Sequence, residues 1–385
     1  MPLPRRLIGT LVTALLACAA LPALPARAAS LSVWVQDSDD RPFTSSTPPA
    51  SADTAVSLYA ARDDYEAAQV LVRSSGSLSG VSVATGALTG PGGTTIAAGD
   101  VSVRREYNHP SVQKLGSSAT IENPPDGGSA YYDALMDNAP QSASANTTLA
   151  YYYQVHVPTG QAPGTYSGSL VVGTSAGNVT VPVSVAVYDA TIPPADQASF
   201  KMNNWFTSAG WDYTGTVQAI PLQYGVRMYD ANWWKVIGNI ATDMAKHRDN
   251  VIYADFQALL IPGTTVDASG HYTFDWSDFD RFVQLFVDAG AMQYLYTPTL
   301  LEGNPDGNSP GLETLVAANG TGGAVKRVLC TPNSAASGAC PDTNAYLRTL
   351  FPALKAHLDA KGWTDRFYMS ALDEPSTQAQ SDASN

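Results

Sequence analysis

The chain has 385 residues, of which 34 are Asp or Glu and 21 are Lys or Arg, so its net charge at pH 7 is −13. This balance argues against a nucleic-acid partner, because such binding depends on cationic side chains that displace counterions from phosphates. The five histidines have no ligand spacing, so we expect no metal and no cofactor.

The N-terminus has the pattern of a secretory signal. Arg5 and Arg6 precede the apolar run 7–20, and Ala26-Arg27-Ala28 follows it as a small-residue cleavage site. In the alternative interpretation, Leu-Leu-Ala-Cys at 15–18 is a lipoprotein box and Cys18 is the lipidated N-terminus. We expect residues 1–28 to be removed and the protein to be secreted or held at the cell surface. We predict no membrane span, since no later segment supplies the roughly 20 apolar residues that one needs.

Residues 29–194 show the pattern of an all-β domain. Short apolar segments recur between turns rich in Gly, Ser, Thr and Pro, with no helical period, which predicts an antiparallel β-sandwich. The predicted strands are 31–35, 56–60, 69–72, 101–103, 151–157, 166–172 and 179–188. Ile192-Pro193-Pro194 then breaks the last strand and forms the junction to a second domain.

Residues 195–385 alternate between strand and helix patterns. Strands are predicted at 201–205, 251–253, 293–296 and 366–372. Between them, apolar residues recur every three or four positions, with Gly290 placed to end the second of three helices and Asp275 placed to cap it. Strict alternation indicates parallel strands covered by helices. We therefore predict the first four β/α units of a (β/α)₈ TIM-type barrel, incomplete in this sequence, and expect the chain to be a fragment of a longer protein.

One connection of this second domain is long, from Pro298 to Asp342. Cys330 and Cys340 lie within it, and in an oxidising compartment two cysteines at this spacing favour a disulfide over a metal site or a nucleophile. Long connections are often functional, so the bridge would hold this segment as one wall of a pocket. Plain stabilisation of a surface loop is the equal alternative.

The acidic pair Asp373-Glu374 follows the fourth predicted strand. In barrels of this kind the working groups lie at the carboxyl ends of the strands. A protonated carboxyl can donate to a leaving sugar oxygen while an ionised one stabilises the developing positive charge. Adjacent carboxyls suit a substrate-assisted mechanism, in which the sugar's own 2-acetamido oxygen is the nucleophile. The structural alternative is an acidic pair at the beginning of a helix.

Aromatic side chains at the same edge are candidates for packing against the C–H faces of a sugar. Trp205 ends the first strand, Trp211 and Tyr213 lie in the loop after it, and Tyr296 ends the third strand. Asp255, after the second strand, is a candidate polar contact. For each of these five residues the alternative is a role in packing.

Four segments, in order, resemble those of glycoside hydrolase family 123 and its uncharacterised relatives. They are Asp-Asp-Tyr-Glu-Ala-Ala-Gln-Val at 63–70, Pro-Gly-Thr-Tyr-Ser-Gly at 163–168, His-Arg-Asp-Asn at 247–250 and Leu-Asp-Glu-Pro at 372–375. The resemblance implies a β-sandwich before a (β/α)₈ barrel and removal of β-linked N-acetylgalactosamine by the substrate-assisted route. It also implies that Asp373 positions the acetamido group and that Glu374 is the general acid and base.

The leading hypothesis is an exported glycoside hydrolase that acts on a glycan with β-linked N-acetylhexosamine. The main alternative is a non-catalytic cell-surface or carbohydrate-binding protein of the same architecture. A third hypothesis keeps hydrolysis but assigns a sugar that lacks the acetamido group.

Overall fold

The computed structural model describes residues 29–109, 131–204, 224–297, 300–302, 311–330, 340, 342–371 and 378. Contacts between residues divide the chain into two compact units, Met1–Ala190 and Thr191–Asn385. Within the described part, no helix is long and apolar enough to span a membrane.

The described part of the first unit is built from strands and short turns. Its strands are β1 (Leu31–Asp37), β2 (Val56–Arg62), β3 (Asp64–Ser74), β4 (Leu78–Ala84), β5 (Leu88–Thr89), β6 (Thr95–Ile96), β7 (Val101–His109), β8 (Tyr131–Met136), β9 (Gln141–Ala143), β10 (Thr148–Val157), β11 (Gly164–Thr174) and β12 (Gly177–Thr191). All seven segments predicted as strands lie in this set. The strands β4, β5, β6, β8 and β9 lie outside the predicted segments.

These strands form two sheets that share one hydrophobic core. One sheet has the order β1-β3-β10-β7-β8, and the other has the order β2-β12-β11-β4-β9, with β5 and β6 attached to β11. The core takes alternate residues from both sheets, such as Val70 and Tyr153 from the first and Leu170 and Val183 from the second. The period of two in the sequence therefore places one face of each sheet inside.

Two of the four resemblance motifs hold turns in this unit. Asp64 holds the turn between β2 and β3, which belong to different sheets, because its carboxylate accepts hydrogen bonds from the backbone N–H groups of Ala61 and Tyr65. In the second motif the buried ring of Tyr166 places its hydroxyl 2.8 Å from the carbonyl oxygen of Ala162, to which it donates. Their roles in the structure are local ones.

In its described part, the second unit contains eight strands and four α-helices whose bounds the structure gives. They are α1 (Ala231–Lys246), β13 (Val251–Tyr253), α2 (Phe256–Leu260), β14 (Thr265–Val266), β15 (Tyr272–Thr273), α3 (Ser277–Ala289), β16 (Tyr294–Thr297), β17 (Leu301–Glu302), β18 (Gly311–Ala317), β19 (Gly323–Cys330), α4 (Thr343–Lys361) and β20 (Phe367–Met369).

A parallel sheet with the order β13-β16-β20 lies at the centre of this unit. Asn203 adds a parallel bridge to Val251, in the region where the first strand is predicted. Helix α1 precedes β13, whereas α3 and α4 lie between successive strands of the sheet, and all three helices share one core with the strands. The described residues thus contain successive parallel strand and helix units. Closure into eight strands stays a prediction.

Helix α3 shows why the apolar spacing was informative. Phe279, Phe282, Val283 and Phe286 are all fully buried, and the helix ends at Gly290, which adopts the left-handed conformation that glycine tolerates. The predicted cap was wrong by one position. Trp276 occupies the N-cap, while Asp275 stands before it and accepts hydrogen bonds from the N–H and hydroxyl of Ser277.

Asn250 joins three segments at the beginning of the parallel sheet. Its side chain is fully buried, and its Oδ1 accepts a hydrogen bond of 2.9 Å from the N–H of Met202. Its Nδ2 lies 2.8 Å from the carbonyl oxygen of Phe200 and 3.0 Å from Oε1 of Gln293. The motif at 247–250 therefore aligns the segment before β13 with the segments before β16 and around Met202.

The described part of the long connection after β16 forms β-strands, which corrects its description as a loop. Strands β17, β18 and β19 pair with β14 and β15 from the preceding connection, in the antiparallel order β15-β14-β19-β18-β17. The predicted disulfide between Cys330 and Cys340 is confirmed, with the two Cα atoms 5.8 Å apart. Two connections that follow parallel strands thus combine into one second sheet.

Candidate active site

The carboxyl ends of β13, β16 and β20 meet at one edge of the parallel sheet, as parallel pairing requires. Asp255 follows β13 by two residues. Ser370 and Ala371 follow β20, and residues 372–377 come next in the sequence. This edge is where a barrel of β/α units carries its working groups.

Five of the predicted site residues lie outside the described residues. They are Trp205, Trp211, Tyr213, Asp373 and Glu374. Asp255 and Tyr296 are described, and both lie at the carboxyl edge of the parallel sheet. The structure therefore describes the sheet edge that precedes the acidic pair in the sequence, while the roles of all seven residues stay predictions.

Asp255 uses both carboxylate oxygens within the protein. Its Oδ1 accepts a hydrogen bond of 3.1 Å from the N–H of Ala258, which caps helix α2. Its Oδ2 lies 2.5 Å from Nη1 of Arg327 on β19. The same nitrogen of Arg327 lies 3.2 Å from Oε2 of Glu313 on β18. We call Asp255, Arg327 and Glu313 the buried ion network.

All three side chains of the buried ion network are withdrawn from solvent, with exposures of 8%, 11% and 9%. Burial disfavours the charge of Arg327, yet the nearby carboxylates of Asp255 and Glu313 raise the pKa of its guanidinium above the ordinary value. Arg327 therefore stays positively charged. One positive group here faces two carboxylates.

A second buried chain of hydrogen bonds runs beside this network. The hydroxyl of Tyr346 donates to Oε1 of Gln257 over 2.7 Å, and Nε2 of Gln257 donates to the carbonyl oxygen of Glu313 over 3.3 Å. Burial raises the pKa of Tyr346 above its usual range, so the phenol stays protonated and able to donate. Helix α4 is thereby connected to α2 and β18.

The parallel sheet has one core face and one tyrosine face. Ile252, Leu295 and Phe367 are register partners and pack in the core with the helices. Because successive residues of a strand point to opposite faces, the tyrosines next to them point the other way. We call these residues the tyrosine face: Tyr253, Tyr294, Tyr296 and Tyr368.

Two ring contacts organise the tyrosine face. The ring centroids of Tyr253 and Tyr296 are 5.7 Å apart, and those of Tyr294 and Tyr368 are 5.2 Å apart. Exposure increases across the sheet, since Tyr253 is buried, Tyr296 is half-buried and Tyr368 is exposed. Such a surface can pack against the apolar face of a sugar ring while each hydroxyl offers a hydrogen bond.

Several of these residues were not predicted from the sequence. The tyrosines at 253, 294 and 368 had a detectable signal, because they alternate with apolar residues in the predicted strands. Arg327 and Glu313 had none, since their partners are far apart in sequence. In the described part of the chain, no group of three or more His, Cys, Asp or Glu side chains could hold a metal ion.

Comparison with known proteins gives a family for the second unit. Residues 216–385 match the model of the glycoside hydrolase 123 catalytic domain. This part of the chain, which includes the parallel sheet and the Asp373-Glu374 pair, belongs to glycoside hydrolase family 123. No curated protein matches the chain.

Solved structures show where the fold recurs. A family 123 glycoside hydrolase from Clostridium perfringens, described in terms of glycolipid glycan hydrolysis, has 14% identity and a TM-score of 0.66. The match covers 92% of this chain and 60% of that protein, so the chain spans about three fifths of its length. At this identity the similarity shows a shared fold over both units.

Two weaker similarities carry no argument about fold or function. The CooA pilin subunit from enterotoxigenic Escherichia coli is 12% identical with a TM-score of 0.22, over 42% of this chain and 99% of its own. A β-glucosidase from Listeria innocua is 10% identical with a TM-score of 0.18, over 42% of this chain and 16% of its own.

Proposed function

We propose that the protein is an exported glycoside hydrolase that cleaves β-linked N-acetylhexosamine, in particular N-acetylgalactosamine, from a glycan. One observation carries this proposal. The match to the family 123 catalytic domain spans residues 216–385 and contains Asp373 and Glu374, which follow the parallel strand β20 in the sequence.

The proposed reaction uses the substrate's own acetamido group as nucleophile. Its carbonyl oxygen forms a bond to C1 as the glycosidic bond breaks, and Glu374 gives its proton to the departing oxygen. Asp373 accepts a hydrogen bond from the acetamido N–H and stabilises the positive charge of the cyclic intermediate. A water molecule then adds to C1, gives its proton to Glu374 and restores the acetamido group. The two displacements retain the anomeric configuration.

Two features of the described edge support a sugar site. The tyrosine face offers flat side chains beside the position from which residues 372–377 continue the chain. The buried ion network joins the connections that follow β13 and β16 to each other. We extend the proposal to a (β/α)₈ barrel around this edge and to export directed by residues 1–28.

The test is hydrolysis of p-nitrophenyl β-N-acetylgalactosaminide by protein expressed from the full coding sequence. We expect release of p-nitrophenol, and a loss of kcat of at least about 100-fold in Glu374→Gln, in line with general acid and base catalysis. The control is Asp365→Asn, which neutralises an exposed carboxylate shortly before the pair. Full activity of Glu374→Gln would remove this residue from the mechanism.

A second experiment tests substrate assistance. The β-galactoside, in which a hydroxyl replaces the acetamido group, should not be cleaved, and the first product seen by NMR should be the β-anomer. Equal turnover of the two glycosides would instead favour a hydrolase without an acetamido nucleophile. Binding without any turnover would favour a carbohydrate-binding protein.

A further inference from the structure

We propose that Arg327 is a positioning residue of the active site, which holds the connections after β13 and β16 in register with the chain just before Asp373. This inference rests on the proposed function. Arg327 and Glu313 lie on the antiparallel sheet, and neither belongs to the acidic pair.

The first step is the contact between two connections. Asp255 belongs to the connection after β13, whereas Arg327 and Glu313 belong to the hairpin β18–β19 after β16. Nη1 of Arg327 lies 2.5 Å from the carboxylate of Asp255 and 3.2 Å from that of Glu313. Asp255 is also the cap of helix α2, so the hairpin is attached to a fixed end of a helix.

The second step connects the hairpin to the end of β20. The N–H of Glu313 donates to the carbonyl oxygen of Leu300 over 2.9 Å, and the N–H of Leu301 donates to the carbonyl oxygen of Ala371 over 2.9 Å. Ala371 precedes Asp373 by two residues in the sequence. A continuous set of contacts thus runs from Asp255 through Arg327 and Glu313 to Ala371.

The third step is energetic. A buried ion pair gains little net stability, because removing both charges from water offsets their attraction, and apolar replacements are often equally stable. The network also has one more negative than positive group, which adds to the free-energy cost of burying its charges. Its specific gain is geometric, since a hydrogen-bonded guanidinium fixes the distance between two carboxylates. We therefore assign the network to positioning.

The test separates positioning from stability. The triple variant Arg327→Met/Asp255→Asn/Glu313→Gln removes all three charges together and leaves no buried charge unpaired. We expect an unchanged thermal midpoint, within a few degrees, but a fall in kcat of at least about 10-fold on the p-nitrophenyl substrate with KM changed less than about 3-fold. The matched control is Lys355→Met/Asp359→Asn, which removes a solvent-exposed ion pair on α4 and should leave kcat and KM unchanged.

A milder variant covers the case in which the triple variant does not fold. Asp255→Asn leaves the neutral pair of Arg327 and Glu313, and we expect a 3- to 10-fold fall in kcat together with faster hydrogen exchange at the amide of Leu301. Unchanged kcat in either folded variant would overturn the inference. A rise in KM alone in Asp255→Asn would also overturn it, because that result means direct contact of Asp255 with the sugar.

The wild-type protein distinguishes the two proposals. If it hydrolyses the substrate and Glu374→Gln does not, the proposed function holds and the variants of the network decide the inference by themselves. If the wild-type protein binds but never turns over the substrate, the proposed function fails, and the positioning role fails with it.

Discussion

The rings of Tyr253 and Tyr296 lie 5.7 Å apart on neighbouring parallel strands, next to the edge where β13 and β16 end. Tyr253 is buried and supports the half-buried ring of Tyr296 from one side. A ring held in this way presents its free surface to a ligand at little cost in side-chain entropy, since the contact already restricts its rotation.

From this arrangement we expect Tyr296→Ala to weaken substrate binding. Loss of a sugar-packing ring should raise KM about 10-fold, equivalent to roughly 1.4 kcal/mol, with a smaller effect on kcat. The measurement is the steady-state kinetics of p-nitrophenyl β-N-acetylgalactosaminide. Tyr59→Ala, at an exposed tyrosine of the first unit, is the control and should change neither constant. An unaltered KM for Tyr296→Ala would leave the ring with a packing role only.

Asn250→Ala should destabilise the second unit strongly. The substitution removes the four hydrogen bonds that the buried side-chain amide of Asn250 makes, at about 1 kcal/mol for each bond. We expect a loss of about 3–5 kcal/mol in the free energy of unfolding, measured by urea denaturation. Asn239→Ala, at an exposed position of α1, serves as control and should be neutral or slightly stabilising. A loss below 1 kcal/mol would contradict the connecting role of Asn250.

Much of the fold could be predicted because its signals are local. The spacing of Phe279, Phe282, Val283 and Phe286 marks one side of a helix, and that side is buried whatever it packs against. The alternating apolar residues of the first unit likewise mark the buried face of each strand. In β18 the signal was obscured, because the buried positions include Glu313 and Thr314, which the sequence presents as polar.

The buried ion network could not be predicted for a different reason. Arg327 and Asp255 are far apart in the chain, and their contact depends on how two connections fold over the same edge of the parallel sheet. A sequence pattern identifies an arginine, but it does not specify which carboxylates surround it. The tyrosine face is an intermediate case, since its alternation was visible while its function depends on which face of the sheet is covered by helices.

Gly90→Ala should destabilise the first unit by steric overlap. A methyl group at this position would lie 2.4 Å from Cε1 of Tyr166, whose ring is fully buried and cannot move away. Overpacking of this kind costs about 1–3 kcal/mol, which thermal denaturation would detect. At Gly99 an added methyl group meets no atom within 4 Å, so Gly99→Ala is the matched control. Equal midpoints for the two variants would mean that the turn at Gly90 adjusts freely.

Removal of the disulfide should lower the free energy of unfolding, because the unfolded chain without the bridge has a higher conformational entropy. The bridge between Cys330 and Cys340 closes a loop with a sequence separation of 10, for which the chain-entropy model gives about 2–3 kcal/mol. We expect Cys330→Ala/Cys340→Ala to show this loss in urea denaturation. Reductant should lower the stability of the wild-type protein by a similar amount and leave the double variant unaffected. Sensitivity of the double variant to reductant would point to an artefact of the reagent.

The buried carboxyl of Glu106 predicts that the first unit loses stability as the pH rises. Glu106 is 3% exposed, its Oε1 has no hydrogen-bond partner, and burial together with the nearby charge of Asp133 raises its pKa from 4.5 to about 7. The folded state therefore binds this proton more tightly than the unfolded state. The stability that the protonated carboxyl of Glu106 contributes is fully present below about pH 4.5 and is lost as the pH rises through about 7. The difference between the two pKa values corresponds to about 3 kcal/mol in the free energy of unfolding.

Glu106→Gln isolates this effect, because glutamine has nearly the same shape and does not titrate. We expect the variant to match the wild-type protein near pH 4.5 and to exceed its free energy of unfolding by about 2–3 kcal/mol at pH 8, measured by urea denaturation across this range. Asp133→Asn should reduce the pH dependence in part, since it removes the second cause of the raised pKa. Because Asp133 is exposed, that substitution disturbs no packing. A wild-type protein whose stability is the same at pH 5 and pH 8 would show that Glu106 gains a partner on ionisation.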